Sequence, residues 1–127
     1  MSFPQDWAPG CPPSDSASAY GVVYRIVESN PCQESDFLSF HEKKRVLRSL
    51  SPCPCMPLGL SVFPDKEDAA YMSRKMPRLG KFLARGDLSP ADGVTKLTPG
   101  QRPSHTTWWP SCECVRLDLF SEVEEAA

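Results

Sequence analysis

The sequence predicts an α+β fold: a single small domain with a mixed or antiparallel sheet of about four to six short strands and roughly two or three helices. Its length of 127 residues fits one domain and leaves little room for two. Stretches rich in β-branched and aromatic residues alternate along the chain with helical patterns. The 14 prolines favour short elements joined by fixed turns over long helices.

Strands are predicted at residues 21–27, 58–63, 79–88 and 114–120. The first of them, "GVVYRIV", ends at the turn signal "ESNP". Alternation along this strand places Arg25 on the same face as Val23 and Val27. A charged residue in an apolar strand either extends to an edge of the sheet or has a functional role.

The clearest predicted helix is "PDKEDAAYMSRKMP", with Asp65 as its N-cap and Pro77 as its end. Residues 35–50 predict two short helices, or a helix and a loop. Residues 1–19 are predicted to form an irregular arm that Trp7 attaches to the domain at 20–121. Residues 122–127 are predicted to form an acidic, frayed tail. The turn-rich loop at 89–104 is long enough to suggest a function.

Charge is unevenly distributed. Residues 41–85 hold ten of the 14 basic residues and four of the 16 acidic ones. This basic middle third could bind an anionic ligand or an acidic protein. Alternatively, its charges could lie on helix surfaces that face solvent. Nucleic acid is not expected as a partner, because no aromatic residues interleave with the charges. A membrane is not expected either, because no stretch approaches the ~18 apolar residues of a span.

The chain shows no secretory signal, so its six cysteines suggest reduced thiols and a cytoplasmic location. Their even number leaves disulfides open. Two Cys-x-Cys pairs offer four thiolates for zinc, at Cys53, Cys55, Cys112 and Cys114. An extended C-x-C holds its sulfurs about 6–7 Å apart, too far for one tetrahedral ion, so we expect no metal site. No phosphate-binding glycine loop is present.

Four segments occur in a suggestive order: an aromatic-Arg strand "YRIV", a strand "GLSVF", a helix beginning "DKEDAA", and a strand "KFLARGDL". This order resembles that of small ADP-ribosyltransferase-like domains, although the Glu-x-Glu motif of that family is replaced by "CEC". The resemblance implies that Arg25 and Ser61 contact the phosphate and nicotinamide ribose of NAD. It makes Glu113 the acid that stabilises an oxocarbenium-like cation, with His105 at the substrate. Trp108 could stack on a ring of the cofactor.

The sequence therefore predicts a cleft that binds NAD or a related anionic nucleotide, and leaves open whether the protein is an enzyme. One alternative is a non-catalytic protein-interaction module of the immunity or antitoxin kind. Another is a module stabilised by zinc through the four Cys-x-Cys thiols.

Overall fold

The computed structural model describes residues 1–43 and 54–126, and the predicted helical segment at 44–50 lies outside them together with Cys53. Seven strands and two α-helices are found in the described part of the chain. The strands are β1 Ala17–Ser18, β2 Gly21–Val27, β3 Leu60–Val62, β4 Phe82–Leu88, β5 Gly93–Leu97, β6 Thr106–Pro110 and β7 Glu122–Glu125. The helices are α1 Lys66–Lys75 and α2 Arg116–Leu119.

The strands form two antiparallel sheets. One has four strands in the order β1-β5-β6-β3, and the other has three in the order β2-β4-β7. An antiparallel bridge joins the sheets where Tyr24 and Phe63 exchange two backbone hydrogen bonds of 2.8 Å. The bridge brings β2 beside β3, and therefore Arg25 beside Ser61. The predicted fold class, a single small α+β domain, is confirmed.

Helix α1 begins as the sequence predicts. The Asp65 carboxylate accepts a hydrogen bond of 2.9 Å from the backbone N–H of Glu67. Acidic residues lie in the first turn and Arg74 and Lys75 in the last, where each sign suits the helix dipole. The helix ends at Met76, directly before Pro77. Among the described residues, no helix is both long enough and apolar enough to cross a membrane.

The chain after residue 88 differs from the prediction. The long loop contains β5, and "TTWWP" forms β6 in the middle of the four-stranded sheet. The strand predicted at 114–120 is wrong, because residues 116–119 form the short helix α2. Leu117, Leu119 and Phe120 all pack against one core cluster, which an extended segment with alternating faces would not allow. Glu122–Glu125, predicted as a frayed tail, pair with β4 as β7.

Strand β6 places one tryptophan in each of two hydrophobic clusters. Trp108 and Trp109 are both 0% exposed, and as neighbours on a strand they point to opposite faces. Trp108 belongs to the larger cluster with Val23, Val27 and Phe120, whereas Trp109 packs in a second cluster with Trp7. The predicted attachment of the N-terminal segment through Trp7 is therefore present.

Candidate functional site

A cleft with a volume of about 400 Å³ opens between β2, β3 and the segment that leads into β6. Its size lies within the range of about 300–1,000 Å³ that is usual for small-molecule sites. Much of its wall is apolar, and Arg25, Ser61 and His105 are among its polar lining residues. The apolar side chains are those of Ile26, Leu38, Phe40, Met56, Leu60, Phe63, Met72 and Leu79.

Arg25 is held rigidly in the cleft wall. Its Nε donates a hydrogen bond of 2.8 Å to the backbone carbonyl of Asp36, and its Nη1 donates one of 2.9 Å to the carbonyl of Ser61. The side chain is half-buried on the face that carries Val23 and Val27, as the alternation of β2 predicts. Among residues 1–43 and 54–126, its Nη2 group has no hydrogen-bond partner.

Burial lowers the pKa of Arg25 to about 10, and the nearby Asp36 carboxylate opposes the shift. Arg25 therefore remains cationic at neutral pH. The Asp36 carboxylate is itself fixed, because it accepts backbone hydrogen bonds from Glu28 at 3.0 Å and from Gln33 at 2.9 Å. Arg25 and the turn at 33–37 thus hold each other in place.

Ser61 and His105 meet in the same cleft. Ser61 is the outward-facing residue of β3, and its Oγ lies 2.9 Å from Nε2 of His105. The other ring nitrogen, Nδ1, lies 2.7 Å from the carbonyl oxygen of Thr98. A carbonyl can only accept, so Nδ1 carries a proton. In the neutral imidazole, Nε2 is then the acceptor of the Ser61 hydroxyl proton.

The loop that carries His105 is attached to helix α1 through a buried carboxylate. Asp68 accepts hydrogen bonds from Arg102 Nε at 2.9 Å and from the backbone N–H of Ser104 at 3.1 Å. The guanidinium of Arg102 also lies 4.4 Å from the ring centroid of Tyr71. Hydrogen bonds from Ser104 and Arg102 lower the pKa of Asp68, although burial opposes them. These contacts fix the position of the imidazole relative to β3.

The charged groups that line the cleft are mostly cationic. Lys43 and Arg78 lie in its wall together with Arg25, and Glu28 is the single carboxylate among the described lining residues. The arrangement therefore favours an anionic ligand with an apolar portion.

Two of the five predicted site residues lie elsewhere. Trp108 has no exposed surface on which a ring could stack, and its Nε1 donates a hydrogen bond of 3.0 Å to the carbonyl of Asp92. Glu113 does not line the cleft, and its carboxylate accepts hydrogen bonds from the backbone N–H and the hydroxyl of Ser2. Arg25, Ser61 and His105 are thus brought together, whereas Trp108 and Glu113 are not.

Cysteine pairing differs from the expectation of reduced thiols. Cys11 and Cys55 form a disulfide, with their Cα atoms 5.3 Å apart. A disulfide sulfur is not a thiolate ligand, so this pairing removes Cys55 from the proposed zinc set. Cys32, Cys112 and Cys114 are free, and burial raises the pKa of Cys114 to about 11. Within the described ranges, no group of three or more His, Cys, Asp or Glu side chains could hold a metal ion.

The sequence did not indicate which residues position His105. Thr98 and Asp68 fix His105, yet they lie 7 and 37 residues before it in the sequence. Thr98 lies inside the loop predicted at 89–104, which the sequence distinguishes only by its length. Asp68 carries no local signal beyond its place in the first turn of α1.

Comparison of the chain with protein-family models, with curated proteins and with solved structures gives no match in any of the three. The resemblance to ADP-ribosyltransferase-like domains therefore stays a prediction that rests on the order of a few residues.

Proposed function

We propose that the cleft binds a small anionic ligand of the nucleotide type, with its phosphate beside Arg25 and its apolar portion against the wall. One observation carries this proposal: the guanidinium of Arg25 is fixed by two backbone carbonyls at 2.8 and 2.9 Å in the wall of a cavity. A cation that is already immobilised loses little entropy on binding. The planar guanidinium also matches the geometry of a phosphate.

The surrounding residues support the same ligand class. Lys43 and Arg78 add positive charge, and Phe40, which is 42% exposed, offers a partly accessible ring. Aromatic faces are common platforms for nucleobases. NAD is the first dinucleotide to test because of the resemblance described above, and AMP is the simplest probe of the same chemistry.

The test compares AMP with adenosine, which differ by the phosphate alone, by isothermal titration calorimetry. We expect AMP to bind and adenosine to bind at least tenfold more weakly, since a hydrogen bond to a charged group contributes about 1.5–3 kcal/mol. NAD and ADP are titrated in the same way. If none of the phosphate-bearing ligands gives heat at millimolar concentration, the proposal is overturned.

Variants localise the binding. Arg25→Gln should weaken the binding of AMP about 10- to 100-fold, because it removes the same charge-assisted interaction with the phosphate. Because Arg25 also holds two carbonyls, Arg78→Gln provides a second test on an exposed side chain of the cleft. Arg85→Gln is the matched control, since Arg85 lies on β4, 3.6 Å from Glu122, and does not line the cleft. Equal losses in Arg78→Gln and Arg85→Gln would place the site elsewhere.

A further inference from the structure

The hydrogen bonds of Ser61 and His105 have the geometry of a nucleophile with its general base. Ser61 Oγ to His105 Nε2 is 2.9 Å, and His105 Nδ1 to the Thr98 carbonyl is 2.7 Å. A hydroxyl, an imidazole that accepts its proton and a third group that orients the imidazole together form the arrangement that activates serine for attack. In this chain the third group is a backbone carbonyl.

Ser61 combines an exposed side chain with a position in the wall of the cleft. Ser61 is exposed and lines the 400 Å³ cleft, whereas Ser73 is buried and donates to the carbonyl of Gly80 at 2.6 Å. An activated hydroxyl needs room for a substrate carbonyl about 3 Å away, and the cleft provides it.

Positive charge lies beside the nucleophile. Arg25 donates to the backbone carbonyl of Ser61, so its cation is fixed beside the residue whose hydroxyl would attack the substrate. A cation held in place before reaction stabilises an oxyanion without the cost of reorganisation. Arg25 therefore suits the oxyanion of an acyl-transfer intermediate as well as an anionic ligand.

We propose that Ser61 is an acyl-accepting nucleophile with His105 as its base, acting on carboxylic esters whose alcohol portion is anionic. The acyl portion would lie along the apolar wall. The preference for an anionic alcohol rests on the proposed function of the cleft, whereas the nucleophile itself does not.

The reaction balances with water as the second reactant. Ser61 Oγ bonds to the ester carbonyl carbon while its proton passes to His105 Nε2. The C–O bond to the alcohol breaks, and the alcohol leaves with that proton. A water molecule then gives a proton to Nε2 and its oxygen attacks the acyl-serine. The carboxylic acid is released and Ser61 Oγ regains the proton.

The decisive experiment uses an uncharged alkyl fluorophosphonate, which phosphonylates activated serines, followed by intact-mass measurement and peptide mapping. We expect one adduct per chain on Ser61 of the unaltered protein. Ser61→Ala should abolish the adduct, and Ser35→Ala should leave it unchanged, since Ser35 is an exposed serine in a 3₁₀ turn outside the cleft. Labelling of Ser61 no faster than of Ser35 in the unaltered protein would overturn the proposal without any variant.

The base is tested by chemical rescue. His105→Ala should slow labelling of Ser61 about 10²- to 10⁴-fold, the usual contribution of a general base. Added imidazole should restore part of the rate, which a purely structural role of His105 would not produce. Failure of rescue in a variant that keeps the far-ultraviolet circular dichroism of the parent would remove His105 as the base.

The two proposals fail separately. Binding of AMP without an adduct on Ser61 leaves the ligand site and removes the nucleophile. An adduct on Ser61 without nucleotide binding leaves the nucleophile and removes the anionic substrate class. Hydrolysis of 4-nitrophenyl acetate, measured in parallel, reports turnover of the acyl-serine.

Discussion

The two ends of strand β6 carry the residues that look most reactive in the sequence, and they differ in what surrounds them. At the first end, His105 faces a cleft, and its ring contacts Ser61 and Thr98. At the other end, Glu113 lies on the surface, where Ser2 satisfies its carboxylate. Residue types alone do not separate the two ends. The difference lies in whether a side chain is oriented toward an open cavity or paired with another part of the chain.

Strand β6 holds both ends in place. A substitution in its buried centre should therefore have the largest effect on stability. Trp109 is 0% exposed and its Nε1 donates a hydrogen bond of 2.9 Å to the carbonyl of Cys55. We expect Trp109→Ala to lower the free energy of unfolding by about 3–5 kcal/mol, because it leaves a cavity and removes a buried hydrogen bond. Urea denaturation followed by circular dichroism measures the change. Tyr20→Ala, at a side chain that is 84% exposed, should stay within about 0.5 kcal/mol of the parent protein.

The next largest effect should lower stability while the cleft end of β6 keeps its function. The disulfide between Cys11 and Cys55 spans 44 residues and ties the N-terminal segment to the core near Trp109. Replacing both cysteines by serine should lower the free energy of unfolding by about 2–4 kcal/mol. Ligand binding and labelling of Ser61 should persist, because neither cysteine lines the cleft. Cys32→Ser, at a free cysteine, is the control, and a loss of labelling in the double variant alone would show that the two ends depend on each other.

Sequence reasoning succeeded where structure depends on neighbours in the chain. Asp65 caps α1 through a bond to a residue two positions away, and the period of β2 fixes the face of Arg25. It failed for "TTWWP", because β6 is buried on both faces and has no alternation to detect. It also failed for residues 114–120, whose alternating pattern is typical of a strand although their apolar side chains share one core.

The candidate site was only partly predictable for the same reason. Arg25 and Ser61 stand out on their own strands, but their approach depends on the bridge between Tyr24 and Phe63. The pairing of Cys11 with Cys55 depends on tertiary packing, and cysteine spacing does not encode it.

Loss of Asp68 should affect the cleft end of β6 specifically. Asp68→Asn keeps the size of the side chain but removes the charge that holds Arg102 and Ser104. We expect labelling of Ser61 to slow about tenfold or more, because His105 is displaced from its serine. The fluorophosphonate assay measures this rate. Asp87→Asn, at an exposed residue of β4, should leave it unchanged.

The contribution of the Asp68 carboxylate to stability should depend on pH. The pKa of Asp68 is lowered in the folded protein, so its contribution to stability is present above the ordinary pKa of an aspartate. The contribution is lost as the pH falls through the lowered value. The difference in denaturation midpoint between the parent protein and Asp68→Asn should therefore narrow in acid. A difference that stays constant down to the acid transition would contradict the role of the carboxylate.

The smallest effect is expected at Glu113. Hydrogen bonds from the hydroxyl and backbone N–H of Ser2 lower the pKa of this carboxylate, so its stabilising contribution is likewise present at neutral pH and lost in acid. Glu113→Gln should shift the urea midpoint slightly at pH 7, because exposed charge-assisted bonds contribute little. Labelling of Ser61 and binding of AMP should not change.

This variant also decides what "CEC" contributes to function. If Glu113 were the acid of an ADP-ribosyl transfer, as the resemblance implies, its replacement would abolish NAD cleavage while the midpoint stayed nearly constant. Assays of nicotinamide release from NAD by the parent protein and by Glu113→Gln, with Glu125→Gln on β7 as the matched exposed control, distinguish the two outcomes. Because Ser2 already satisfies both oxygens of Glu113 at a distance from the cleft residues, we expect the three proteins to behave alike.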